Sequence, residues 1–364
     1  MSKVRILFRV LAVSVLAFAA GCGGGSSGFP LAAFLYVSNT DSGTVSVIDV
    51  ATNTEIAAVV VGNEPRGLAI LPDGSLVFVP NRFSNSVSVI STATNSVVAT
   101  IPLSGGGEPY NCAALPDGSR VYVVNKSGNS PSDVSVIDAA TRSEVTVIPL
   151  AGTGPEGLAI SPDGAFVYVV NRNSADVEVI DTATNTVVAT GLSAPSSPRD
   201  AAFTPDGQKV YVVGEGSLAV LPGGALITAN LTATSAVFIS EASGRDVVVS
   251  PDGAFAYVAR GPRNAEVAVV DTATDTVVAT IPLNTNGAYG IDISKDGRTA
   301  YVSDDGSEVA VVDLVTRTQV GTITGVGAKA TQLKVTQTES TGGLSIWEIF
   351  WRDESAKHGF AYPD

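Results

Sequence analysis

The chain has 364 residues, 45% hydrophobic and only 15% charged, with 37 glycines and a formal net charge of -14. There is ample apolar material for one large core, and the many glycines suit a fold made of tight turns. An acidic balance without a basic stripe argues against a general nucleic-acid binder, and solubility is the plain physical reading of the charge.

Residues 1–21 read as an export signal. Lys3, Arg5 and Arg9 form a basic start, and Leu11 to Ala20 is an apolar run too short for a comfortable membrane span. The order Ala19-Ala20-Gly21-Cys22 resembles the bacterial lipobox, which implies lipidation of Cys22 and an envelope location. Gly23 follows the cysteine, and by resemblance to Gram-negative lipoprotein sorting this favours the outer membrane. Membrane attachment is then expected through lipid alone. Residues 22–30 are a Gly/Ser tether. Loss of residues 1–21 removes three cations and no acids, leaving the domain more acidic still. Cys112 then has no partner cysteine, and its place among Leu68, Leu158, Val247 and Ile291 in the repeat predicts a buried thiol.

From residue 31 to 340 the chain repeats. Leu71-Pro72-Asp73-Gly74 recurs at Leu115 to Gly118, Ser161 to Gly164, Thr204 to Gly207, Ser250 to Gly253 and Ser294 to Gly297. The aspartates are 43 to 46 residues apart, the length of a four-stranded propeller blade. Proline presets its φ, aspartate bonds the turn backbone, and glycine accepts a positive φ. After each turn comes a β-branched strand such as Val77 to Asn81, Val121 to Asn125 or Val167 to Asn171. An alternating pair follows, as in Val177 to Asp181 and Thr186 to Thr190, joined by a turn at Ala183 to Asn185. Each unit is therefore strand A, Pro-Asp-Gly turn, strand B, loop, strand C, turn, strand D.

Strands B, C and D occur seven times, from Leu35 onward, but strand A precedes an Asp-Gly turn only six times. Thr331-Gln332-Leu333-Lys334-Val335 aligns with Arg66 to Ile70 and supplies the missing strand. The prediction is an all-β, seven-bladed propeller of four-stranded antiparallel blades, its ring closed by a C-terminal strand pairing with the N-terminal blade. A monomer is expected. The fifth unit departs from the pattern, with Gly214 to Ala225 inserted between its B and D strands. Drift explains this, or a loop bordering a binding surface.

These markers resemble the YVTN family of repeat propellers. Its signature stands here as Tyr36-Val37-Ser38-Asn39, Tyr122-Val123-Val124-Asn125 and Tyr168-Val169-Val170-Asn171, with Val47-Ile48-Asp49 and Val136-Ile137-Asp138 as the companion motif. The resemblance covers about Leu31 to Val335 and implies fold far better than function. It implies a binding or interaction protein of the cell surface or periplasm. Related propellers include lactonases and the propeller domains of haem- or quinone-linked dehydrogenases.

His358, in the tail, is the only histidine, and no Cys-x-x-Cys-His run exists. A histidine-built zinc site, a histidine base and axial-histidine haem ligation within the propeller are excluded. No Gly-x-Ser-x-Gly elbow, phosphate-binding loop or dinucleotide fingerprint appears, so no cofactor is expected. Asp304-Asp305-Gly306-Ser307-Glu308 lacks an alternating ligand loop and reads as an exposed acidic turn.

Site residues are instead sought where the strands begin. The first positions of strand A are Arg66, Tyr110, Glu156, Arg199, Arg245, Tyr289 and Thr331, and they vary while the turn residues repeat. They should gather at one rim of the channel, where by resemblance to other propellers ligands bind. Guanidinium forks suit a carboxylate or phosphate, and the tyrosines suit a sugar or another planar group. The plainer reading is that each arginine pairs with a neighbour such as Asp200, Asp246 or Glu64 and ties blades together.

The leading expectation is a non-enzymatic envelope scaffold holding a protein partner or a small anionic or sugar-like ligand at the rim. A lactonase-like hydrolase using Glu156 and the rim arginines is the alternative, and an accessory of a quinone-dependent redox system a further one. Residues 341–364 lie outside the repeats. There Trp347, Phe350 and Trp351 have the spacing of a short helix face, suited to docking on the propeller or to a partner.

Overall fold

In a computed structural model, described over residues 33–127, 132–223, 235–261 and 265–336, the chain is a seven-bladed β-propeller. The leader, Cys22 and its tether, the Trp-rich tail and His358 lie outside the described residues.

The first blade combines β1 (Phe34–Asn39), β2 (Thr44–Asp49) and β3 (Thr54–Val60) with β27 (Ala330–Val335), in the order β27-β1-β2-β3. β27 runs antiparallel to β1, with Leu35 opposite Val335 and Val37 opposite Leu333. The last strand of the ring thus covers the inner edge of the first blade, an edge that would otherwise be open to foreign strands. Four further blades run in simple order: β4 (Ala69–Ile70) to β7 (Ser96–Pro102), β8 (Glu108–Ala114) to β11 (Ser143–Pro149), β12 (Pro155–Ile160) to β15 (Thr186–Ser193), and β23 (Ile291–Ile293) to β26 (Thr318–Thr324).

The fifth and sixth blades share a strand. β16 (Asp200–Phe203), β17 (Lys209–Val213) and β18 (Glu215–Pro222) pair in order, and the start of β19 (Ser235–Val249) completes that blade. The same strand continues from Gly244 as the inner strand of the sixth blade, beside β20 (Phe255–Arg260), β21 (Glu266–Asp271) and β22 (Thr276–Pro282). Most of the stretch read as an insertion is therefore strand C itself. Gly214 alone separates it from strand B, and the additional length falls after Gly223, beyond the described residues.

Burial closes the ring. Seven apolar clusters each lie between two consecutive blades. Tyr36, Val45 and Val47 of the first blade meet Leu68, Val77 and Val79 of the second. Leu35, Val37 and Leu333 of the first meet Val309, Val311 and Ile323 of the seventh on the other side. The alternation in strands B and C sends one set of side chains to each neighbour, as period-2 geometry requires.

The signature residues turn out to be mortar. Tyr36 donates to Asn95 Oδ1 at 2.9 Å, Tyr122 to Asn185 Oδ1 at 2.8 Å, and Tyr211 to Asp275 Oδ1 at 2.6 Å, each acceptor lying in the C–D turn of the following blade. Burial pushes the Tyr36 phenol up to about 12, so it stays a donor at any working pH. The signature asparagine is buried too: Asn81 accepts from the Gly62 amide at 3.0 Å and donates to Ser88 Oγ at 2.9 Å. Asp304 takes the same place in the seventh blade. It is buried rather than exposed, and its Oδ1 accepts the amides of Gly306 and Glu308 at 2.9 and 3.0 Å. Cys112 is a free, buried thiol between the second and third blades, and burial pushes its pKa above the ordinary range.

Candidate functional site at the channel rim

Every strand A starts at one end of the channel, and six of the seven end in their Asp-Gly turn at the other. The seven first positions therefore converge, and Arg66, Tyr110, Glu156, Arg199, Arg245, Tyr289 and Thr331 line a single cavity of about 120 Å³. Asn111, Asp200 and Gln332, each one residue further in, form the next layer.

The arginines are committed to different degrees. Arg66 meets Glu64 at 3.1 Å and lies 5.3 Å over the Tyr110 ring, which the Lys126 ammonium also approaches at 5.0 Å. Arg199 meets Glu156 at 3.3 Å and not Asp200. Arg245 has no carboxylate partner among the described residues, Asp246 included; its guanidinium stacks over Tyr289 at 4.7 Å. The Nε groups of all three arginines are buried without a hydrogen-bond acceptor. The expected pairings hold for Arg66 with Glu64, and fail for Arg199 and Arg245 because Asp200 and Asp246 turn toward each other inside the channel.

Glu156 is the most enclosed rim residue, at 5% exposure. Its Oε1 accepts from Lys126 at 2.5 Å and Arg172 at 3.3 Å, and its Oε2 from Arg199 at 3.3 Å. A carboxylate held by three cations is an anchor, and service as a base would require it to abandon them. Thr331 is equally occupied, bonded to Thr40 Oγ1 at 2.8 Å.

The balance leaves the cavity electropositive on an acidic protein. Burial lowers the Arg199 pKa and the Arg245 charge lowers it further, while Glu156 opposes. Two guanidiniums repelling each other in a partly dry site are what a bound anion would relieve. Lys126 and Arg172 also belong to this layer. They follow the signature asparagines Asn125 and Asn171 directly, with Arg82 after Asn81, so a basic residue behind strand B in three consecutive blades was the available signal.

Beneath the rim, Gly157 permits a close approach: a Cβ there would stand 2.6 Å from Asp200 Oδ1 and 2.4 Å from the Arg199 carbonyl. The opposite mouth, at the turn end, is a wider space of about 440 Å³ between an apolar wall at Leu68 to Pro72 and the polar Asp292, Lys295 and Lys334. Lys334 is already paired with Asp292 at 3.6 Å, so that mouth lacks the rim's surplus of cationic donors.

A family model described as lactonase, 7-bladed beta-propeller matches residues 98–194, a stretch that contains Tyr110, Asn111 and Glu156. No curated protein matches the chain. Among solved structures, the chain is similar to a protein of unknown function from Desulfotomaculum acetoxidans, at TM-score 0.73 and 21% identity, covering 84% of this chain and 99% of that one. It is similar to the periplasmic gluconolactonase of Pseudomonas aeruginosa, at TM-score 0.68 and 17% identity, covering 84% and 99%. It is similar also to a candidate 6-phosphogluconolactonase of Bacteroides fragilis, at TM-score 0.69 and 19% identity, covering 86% and 100%. At these identities the likeness establishes a seven-bladed propeller fold, and activity must be argued from the site.

Proposed function

We propose that the protein is a lactonase-like hydrolase that takes a small anionic sugar lactone at the rim of its channel. The observation that carries the reading is the meeting of Arg66, Arg199 and Arg245 in one cavity, with no carboxylate partner at Arg245 among the described residues. A guanidinium with free donors recognises a carboxylate or phosphate in a fixed orientation. Tyr289 and Tyr110, with which Arg245 and Arg66 stack, complete the wall of the cavity and hold those guanidiniums at it. The lactonase family match over residues 98–194 supports the same substrate class. The purified protein should hydrolyse members of a panel of aldonolactones, and phosphorylated ones better than neutral ones. Arg245→Gln should raise KM for the phosphorylated substrates about tenfold or more, the loss of one charge-assisted contact. No hydrolysis of any lactone would overturn the reading.

One observation favours binding without turnover: Glu156, the carboxylate first expected to act, is fully engaged by Lys126, Arg172 and Arg199. A ligand-induced rise in melting temperature with no product formed would select that scaffold reading.

We also place the protein among YVTN-type repeat propellers held at the cell envelope by lipid on Cys22, on the strength of residues 1–30 and the repeat signature. Radiolabelled palmitate should enter the wild-type chain in cells and not Cys22→Ser. Equal labelling of both would remove the anchor.

A further inference from the structure

Asp200 and Asp246 occupy equivalent places in neighbouring blades, each the second residue of strand A. Their carboxyl groups lie within hydrogen-bonding reach of each other, and two carboxylates so placed cannot both stay ionised. The surroundings of the two differ. Asp246 is 3% exposed, and its Oδ1 accepts the Val247 amide at 2.8 Å while its Oδ2 accepts the Ile291 amide at 2.9 Å. Both oxygens are taken up by backbone N–H groups, which hold the Asp246 carboxyl in place. Asp200 makes no such bond to a neighbouring blade. It lies against the Gly157 backbone and lines the rim cavity, in reach of whatever the arginines hold.

We infer that Asp200 is the proton donor of this site and that Asp246 is the positioning residue that keeps the proton on it. The inference rests on the lactonase reading and gives it the acid that Glu156, tied to three cations, does not supply. Burial first and the Asp246 charge second push the Asp200 pKa well above the ordinary carboxyl range. The charged groups acting on it are Asp246 on β19 and Lys334 on β27, and the rim cavity it lines also holds Arg66, Glu156, Arg199 and Arg245. Lys334 opposes the rise, and its own contact is with Asp292.

The step balances. Water forms a new C–O bond at the lactone carbonyl carbon, the ring C–O bond breaks, and the ring oxygen leaves as a hydroxyl by taking the Asp200 proton. The proton shed by the water returns to the Asp200 carboxylate, so the pair ends as it began. Lactone and water become one hydroxy acid, and no co-reactant is needed.

Asp200→Asn tests this, because the amide can still donate to Asp246. It should lower kcat about 10²- to 10⁴-fold, the usual worth of a positioned acid, while KM stays within a few-fold. Wild-type kcat should decline as pH rises through the Asp200 pKa. A second readout needs no substrate. The raised pKa means that the unfolded chain binds fewer protons than the folded one above about pH 3.8, so this group subtracts stability as pH climbs from there to neutrality. Asp200→Asn should therefore melt above wild type at pH 7, and the gap should close toward pH 3.

Wild-type kcat in Asp200→Asn, with lactone turnover otherwise intact, would overturn the inference and leave the lactonase reading standing. A variant less stable than wild type at pH 7 would overturn the shared proton. A wild-type protein without lactone turnover would overturn both readings of the site, whatever the melting curves show.

Discussion

The two ends of strand A obey opposite rules. At the turn end, six glycines from Gly74 to Gly297 hold φ between 69 and 74°, and from Gly118 onward each faces the proline of the preceding blade's turn. At the rim end the same strands begin with Arg, Tyr, Glu, Arg, Arg, Tyr and Thr. The turn must reverse the chain identically in each blade, so its chemistry repeats. Nothing in the backbone dictates the rim, so its side chains are free to differ and to serve a ligand. Periodicity marks what builds the ring, and its interruption marks what uses it.

Removal of the closing strand should break the comparison at both ends at once. Without residues 330–336 the β1 edge loses its partner, Leu333 and Val335 leave the seam between the last and first blades, and Thr331 leaves the rim. A single buried Leu→Ala costs about 2–5 kcal/mol, and this deletion removes several such groups together. The truncated chain should be aggregated or molten when its near-UV circular dichroism and sedimentation are measured. A monomer with the wild-type denaturation midpoint would show that the ring closes without that strand.

The fold was legible because its signals are redundant. Six copies of the turn, seven of Tyr-Val-x-Asn or its variants, and a leftover strand fix the blade number and the closure together. The site was legible only in part. First positions of strand A name the rim because register carries them there, but sequence spacing holds no sign of which arginine finds which acid. Arg199 and Asp200 are adjacent in the chain, yet alternation along a strand sends adjacent side chains to opposite faces, so Arg199 reaches Glu156 and Asp200 reaches Asp246. The shared proton depends on two blades meeting at that depth in the channel. The fifth blade was misread for a related reason: with Gly214 as the whole B–C loop, strand C arrived earlier than the repeat suggested.

The comparison sharpens with smaller changes made at each end. Gly118→Ala and Gly207→Ala meet only the tolerable contacts of a proline Cδ at 3.6 and 3.5 Å, so the positive φ is what each must bear. That costs a residue with a Cβ about 1–2 kcal/mol. Both variants should lose stability by nearly the same amount in urea denaturation and keep the wild-type response to ligand, since Gly118 and Gly207 lie at the far end of their strands from the rim. Rim variants should do the reverse. Arg245 gives up a ring contact at 4.7 Å and no ion pair among the described residues, so its loss should change the midpoint little while altering what the cavity accepts. Two turn variants that differ widely from each other would mean that blades are not equivalent even where their sequences agree. An Arg245 variant as damaging to folding as the glycines would make the rim part of the scaffold, and the distinction between the two ends would then fall.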